Sequence, residues 1–219
     1  MNKILLIISL ILLISACDRN GNSNAVIEIY RTDVYSALSN YDAELTKARN
    51  QLGFEDGSSV SHCDGYIKAS QTSRIGEGVN NMIIRDEYLM CDVLALVGKS
   101  RKLQVKDKSE YTEALANKLD LKSFRSSLRP RMDDKTRTLA KLVTLPDKLV
   151  IDGEKVSIVS DNWHFALVHV ASGDINNNGK PDWIIWVVDE AKVGNYRGYD
   201  TLVAYDVDLG EGLIRAKVF

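Results

Sequence analysis

Proline is scarce in this 219-residue chain, at three, and histidine equally so, at three. Few prolines, with 45% hydrophobic and 26% charged residues, exclude collagen-like repeats and the composition of a disordered polymer, so a folded domain is expected. Also missing are a Gly-x-Ser-x-Gly elbow, a His-Glu-x-x-His helix, a phosphate-binding loop and a dinucleotide fingerprint. Without them the commonest hydrolase, metalloprotease and nucleotide-dependent enzyme classes have no handle in the sequence, and no catalytic residues are assigned. Charge of one sign is lacking too. The 28 basic and 30 acidic residues leave a formal charge of −2, which supplies no global attraction for nucleic acid, and no nucleic-acid partner is expected.

Long apolar runs are absent as well, and the one near the N-terminus is short. Met1-Asn2-Lys3 places one positive charge before Ile4 to Ala16, an uncharged stretch of 13 residues. About 20 residues are needed to span a hydrocarbon core, so this is the hydrophobic region of a signal peptide covering 1–16. It ends in Ile14-Ser15-Ala16-Cys17, which resembles the bacterial lipobox. That resemblance implies cleavage before Cys17, lipidation of its sulfur and acylation of its amino group, and hence a stable membrane anchor through several acyl chains. Asp18 is similar to the inner-membrane retention signal of enteric lipoproteins, which implies a chain facing the periplasm. Residues 17–25, with Asp18 to Ala25 reading DRNGNSNA, form a polar tether.

With Cys17 used, Cys63 and Cys91 remain. Outside the cytoplasm an even remainder favours a disulfide. The rival reading makes Cys63 a catalytic thiol beside His62.

Residues 26–141 read as mainly helical. Ile27, Tyr30, Val34, Leu38, Tyr41, Leu45, Ala48 and Leu52 recur at steps of three and four, the stripe of a long amphipathic helix ending at Gly53. Residues 54–78 read as a long loop with one short strand, 80–97 as a buried helix, and Ser109 as the cap of another helix, with a further short one before Arg129-Pro130. Residues 99–141 carry 13 Lys/Arg against 6 Asp/Glu, a basic segment suited either to an acidic neighbour or to the acidic remainder of the same chain.

From 142 to 219 the pattern is that of strands. Leu149-Val150-Ile151, Asp152-Gly153 and Val156 to Val159 predict a hairpin. Trp163 to Val170, Trp183 to Val188, Thr201 to Val207 and an edge within Gly212 to Val218 complete an antiparallel sheet. The expected class is α+β, a helical part packed with a sheet in one compact domain. Trp183 and Trp186, three apart, belong on opposite faces.

Between two of these strands lies Gly173-Asp174-Ile175-Asn176-Asn177-Asn178-Gly179-Lys180-Pro181-Asp182. Oxygen-bearing side chains at alternate positions and a glycine at the sharp turn suit calcium, a hard cation that takes oxygen ligands. The segment resembles the short calcium loops of dockerins and of FG-GAP and integrin-type propeller blades. That resemblance implies Asp174, Asn176, Asn178, the Lys180 carbonyl and Asp182 as ligands of a structural calcium. Ile185 stands where an EF-hand has its bidentate glutamate, so a sensor-type helix pair is not implied. An ion-free Asn/Gly turn is the other reading of the same residues.

Tyr196, Arg197, Tyr199 and Asp200 form the combination found at protein interfaces and are the expected partner surface. By analogy of address and size, that partner is a secreted hydrolase or toxin, which this chain inhibits or confers immunity against. Two alternatives stand beside it: a cell-wall or glycan hydrolase using Asp189 and Glu190, and an accessory lipoprotein docked to an envelope assembly. Adjacent carboxylates on a strand diverge, which weakens the first.

Overall fold

A computed structural model describes residues 25–76, 80–143, 147–210 and 212–219. The expected signal peptide, the expected lipidation site Cys17, Asp18 and the expected tether lie outside the described residues, apart from Ala25. The chain forms a mixed α+β structure with a mostly antiparallel sheet.

Four strands form a continuous run at its centre: β6 (Lys155–Val159), β7 (Trp163–Gly173), β8 (Asp182–Ala191) and β9 (Arg197–Ala204), each antiparallel to the next. On the outer edges, β5 (Lys148–Asp152) pairs with β6 through the Asp152-Gly153 turn, and β10 (Lys217–Val218) pairs with β9. The predicted hairpin and strands are thus all present.

The long helix read across residues 27–52 is not. Its first four residues form β1 (Val26–Ile29), the stripe continues through α1 (Thr32–Ser39) and α2 (Tyr41–Thr46), and Leu52–Gly53 is the short β2. Val26, Ile27 and Ile29 are β-branched, and alternate side chains, Ile27 and Ile29, are fully buried, which favours a strand. Asn40 leaves helical geometry at φ −112°, ψ 38° and breaks what remains into two helices.

β1 pairs antiparallel with the second half of β7 and parallel with β4 (Lys102–Val105). One edge of β7 is therefore shared, by β6 along its first half and by β1 along its second. Gly173 makes this close approach feasible: a Cβ there would lie 2.7 Å from Ile27 Cδ1 and 2.9 Å from the Val26 carbonyl oxygen. Because β1 and β4 precede residue 141, the helical and sheet parts share one sheet rather than dividing at 141/142.

The sheet is covered on both faces. Val168, Val170 and Ile184 pack beneath α1, α3 (Cys63–Ala69) and the helical segment 80–97. Phe165, Leu167, Trp183, Ile185 and Val187 pack beneath α6 (Thr112–Lys118) and α7 (Leu139–Leu142). This two-residue alternation sends Trp183 and Trp186 to opposite faces, as expected; Trp186 packs on the first core with the Arg31 guanidinium 5.2 Å from its ring centroid.

Segment 80–97 comprises α4 (Asn80–Ile83), a π-helical turn (Ile84–Tyr88) and α5 (Leu89–Val97), closed by Gly98 at φ 72°. Residues 54–78, read as loop with one strand, hold β3 (Ser59–Val60) and also α3, whose N-terminus is capped by His62: Nδ1 accepts the Gly65 N–H at 2.9 Å. Ser109 caps less directly, accepting the Tyr111 N–H at 3.1 Å just ahead of α6. The helix expected before Arg129-Pro130 is a 3-10 turn at Leu121–Ser123, followed by another at Arg129–Arg131.

Candidate functional site

Cys63 and Cys91 are joined as a disulfide, with a Cα to Cα distance of 5.0 Å. The bond ties α3 to α5 and consumes the thiol that the catalytic reading of Cys63 required; His62 is occupied as a helix cap.

The remaining histidines are apart. His169 is fully buried among Tyr30, Trp183 and Tyr111, with Nδ1 2.5 Å from Ser109 Oγ. Burial lowers its pKa to about 3, so it is a neutral core histidine. His164 lies near the other end of β7, 3.3 Å from Glu190.

Residues 174–181 link β7 to β8, whose last pair is Gly173 with Asp182. Asp174 Oδ1 accepts the Asn178 N–H at 2.8 Å and Oδ2 the Gly179 N–H at 2.9 Å; Asn176 Oδ1 accepts Asn178 N–H, and Asn178 Oδ1 accepts Lys180 N–H. Each of these oxygens takes one hydrogen bond and keeps a second lone pair. Asp182 is fully buried and differently placed, accepting Ile175 and Asn176 N–H on Oδ2 and Asp206 N–H on Oδ1. Arg101 holds the loop from outside through the Asn177 side chain at 2.7 Å and the Ile175 carbonyl at 2.9 Å. Asp206 joins from the segment after β9, bonded to Asn178 Nδ2 and Lys180 Nζ. Among the described residues no group of three His, Cys, Asp or Glu side chains is arranged to hold a metal ion. The donor set here is carboxylate, amide and carbonyl oxygen, which fits calcium and no softer metal. Asp174, Asn176 and Asn178 would hold the ion, and Asp182 braces the loop through its backbone.

Asp189 and Glu190 point to opposite faces of β8. Asp189 is buried, receiving Ser127 N–H at 2.7 Å, Ser127 Oγ at 2.5 Å, Trp163 Nε1 at 2.7 Å and Tyr196 OH at 3.3 Å. Glu190 lies on the other side with the Tyr199 hydroxyl, Arg85 and His164. Burial opposes its charge, but the Tyr199 and His164 contacts and Arg85 prevail and lower its pKa. The two carboxylates share no space for one substrate.

The four expected partner residues divide likewise. Tyr196 is 46% exposed, its ring 5.3 Å from that of Trp163. Arg197 is half-buried and turns back onto the Ala191 and Tyr196 carbonyls. Tyr199 is buried, its ring 5.5 Å from the Arg85 guanidinium, and Asp200 faces inward. Only Tyr196 and the exposed residues before it stand in solvent.

A feature that sequence reasoning missed is a cleft of about 580 Å³ between α3, α5, the 124–125 segment and β9, continuous through Tyr66, Ser70, Asp92 and Phe219 with a second hollow of about 480 Å³. Asp92 lies at its floor, 7% exposed, with no ion pair among the described residues; the Tyr66 hydroxyl donates to Oδ1 at 2.9 Å. Burial raises the Asp92 pKa to about 7; the Thr201 and Tyr66 side chains oppose this by hydrogen bonding, and the neighbouring Asp200 adds to it. Burial also raises Asp200, with Asp189 contributing, while Arg125 draws it back. The signal was present in the sequence: Asp92 is the sole charge in Leu89–Val97.

Compared with protein-family models, with curated proteins and with solved structures, the chain shows no match in any of the three.

Proposed function

We propose that this chain is a lipid-anchored binding protein of the cell envelope, facing the periplasm, which inhibits or confers immunity against a secreted hydrolase or toxin. The lipobox Ile14-Ser15-Ala16-Cys17 supports the address, and the Cys63–Cys91 disulfide agrees with an oxidising compartment. The observation that carries the binding role is the loop between β8 and β9. Residues 192–196 are exposed, Val193 at 78%, yet Tyr196 at the loop's end is fixed by the Trp163 ring and Asp189. A rigid exposed tyrosine is an interface anchor that loses little entropy on binding. Arg197 supports that anchor from behind, donating to the Tyr196 carbonyl at 2.7 Å. Calcium in the 174–182 loop stiffens the opposite end of the β7–β8 hairpin.

The experiment is paired capture from native secretome with the wild-type chain and with Tyr196→Ala. The expected result is a hydrolase or toxin in stoichiometric amount with the wild type and its loss with the variant. Equal recovery by both chains overturns the surface, and recovery of an envelope-complex subunit instead transfers the protein to the accessory-lipoprotein reading. Fatty-acid labelling that disappears in Cys17→Ala tests the anchor.

A further inference from the structure

The sheet ends in β4 on one side, in β10 on the other, and in the β5–β6 hairpin that branches from β7. An open strand edge is a template for another chain, and short or charged edges resist such pairing. β10 is two residues long, and β4 exposes Lys102 and Gln104. β5 is different. It is five residues long, pairs with β6 in unbroken register, contains no proline, and leaves Val150 and Ile151 exposed at 41% and 44%. The hairpin is also held in place at its turn: the Thr112 hydroxyl donates to the Gly153 carbonyl at 2.9 Å, and the His169 N–H to the Glu154 carbonyl at 2.8 Å.

The His169 bond fixes which way the backbone points. Glu154 and, by alternation, Val156 and Ile158 turn their main-chain groups to β7, so Lys155, Ser157 and Val159 turn theirs to β5. Their opposites Asp152, Val150 and Lys148 are thereby used within the hairpin. Leu149 and Ile151 aim their N–H and C=O groups outward, where no strand receives them among the described residues.

The sequence of this edge, Lys148-Leu149-Val150-Ile151-Asp152, is complementary to itself when reversed. Laid antiparallel against a second copy with Val150 opposite Val150, it sets Leu149 opposite Ile151 and Lys148 opposite Asp152. The outward-facing Leu149 and Ile151 then become the hydrogen-bonded pairs, which is the geometry their backbone already has. Lys148 and Asp152, which have no ion pair among the described residues, find opposite charges across the seam, on the same side of the strand as Val150. A shift of two residues either way sets a charge against Val150, so the register is specified. We propose that β5 is a self-association edge: a second copy of this chain adds its own β5 antiparallel, about a two-fold axis at Val150, and the sheet continues across both molecules.

The test is the mass of the full-length chain in detergent, by sedimentation with the detergent density-matched, from about 1 μM to 1 mM. A monomer–dimer equilibrium is expected. Lys148→Asp and Asp152→Lys each weaken the dimer about tenfold, and an equimolar mixture of the two, in which opposite charges meet again, restores it to within about threefold. Ile151→Pro removes an outward N–H that β6 does not use and abolishes the dimer. Should the proline variant fail to fold, the exposed charge variants remain readable. In a non-hydrogen-bonded pair the Cα atoms lie about 4.5 Å apart, within disulfide reach, so Val150→Cys forms a linked dimer under mild oxidation, whereas Val159→Cys, exposed one strand back, does not. A monomeric mass at every concentration overturns the second copy as the occupant of this edge. A dimer indifferent to Lys148→Asp and Asp152→Lys, or equal cross-linking by the two cysteine variants, overturns it as well. Tyr196→Ala leaves the dimer intact, so failure here is separable from failure of the partner surface.

Discussion

The Tyr66 hydroxyl donates to Asp92 at 2.9 Å from three residues beyond Cys63, while Asp92 immediately follows Cys91, so a covalent and a polar link fasten α3 to α5 side by side. Removing the donor deprives a buried carboxyl of one of its hydrogen bonds, and Tyr66→Phe is expected to destabilise the fold by about 1–3 kcal/mol in urea denaturation. An unchanged midpoint would mean that Asp92 is hydrated.

The disulfide is expected to contribute more. Its cysteines are 28 residues apart, and on the chain-entropy model that closure is worth about 3.6 kcal/mol. Reduction of the wild type, or Cys63→Ala/Cys91→Ala, should lower the unfolding midpoint by a corresponding amount, and reductant should have no further effect on the double variant.

Asp92 and His169 give the stability opposite pH dependences. Asp92, raised to about 7, keeps in the folded state a proton that the unfolded chain releases above about pH 4. Its contribution therefore falls as pH rises from about 4 to 7, at up to about 1.4 kcal/mol per unit. His169, lowered to about 3, refuses in the folded state a proton that the unfolded chain takes below about pH 6.5. Its contribution is lost as pH falls through that window, so the two oppose each other between about pH 4 and 6.5. The stability of Asp92→Asn relative to wild type should accordingly rise between about pH 4 and 7, measured by urea melts; a pH-independent difference would show that Asp92 titrates normally.

Calcium should raise the unfolding temperature of the wild type and not of Asp174→Ala. At about 100 times its dissociation constant a ligand of the folded state adds about 2.7 kcal/mol. Asp182→Asn has a different signature: it destabilises without calcium, because three backbone N–H groups rest on that carboxylate. A calcium-independent melting temperature in the wild type would identify the loop as an ion-free turn.

What the sequence made legible was set by local pattern. The β5–β6 hairpin follows from alternation around Asp152-Gly153, and helix 80–97 from its apolar run ending at Gly98. β1 was hidden because Ile27 and Tyr30 happen to continue the phase of Val34, Leu38 and Tyr41, while its strand partners lie at 102–105 and 171–172, too far along the chain to leave a local mark. α3 was obscured by Gly65 within a stretch rich in Gly and Asp, although Asp64 and Lys68 sit at ion-pair spacing. At the candidate sites, oxygen spacing exposed the 174–182 loop, whereas the inward turn of Tyr199 depends on Glu190 and Arg85 from other elements. The cleft is assembled from five distant segments, and no window of sequence contains it.

The division of one β7 edge between β6 and β1 makes the N-terminal and C-terminal parts reciprocal. A fragment ending near 141 would leave β1 with β4 alone and its β7-facing edge open, and a fragment beginning near 142 would present Val170 to Ser172 as an open edge. Neither piece is a finished folding unit, yet each is the template the other lacks. Mixed in solution, they should recover the intact sheet by complementation, and during synthesis β1 can meet β4 early but must wait for β7 until the last third of the chain has emerged.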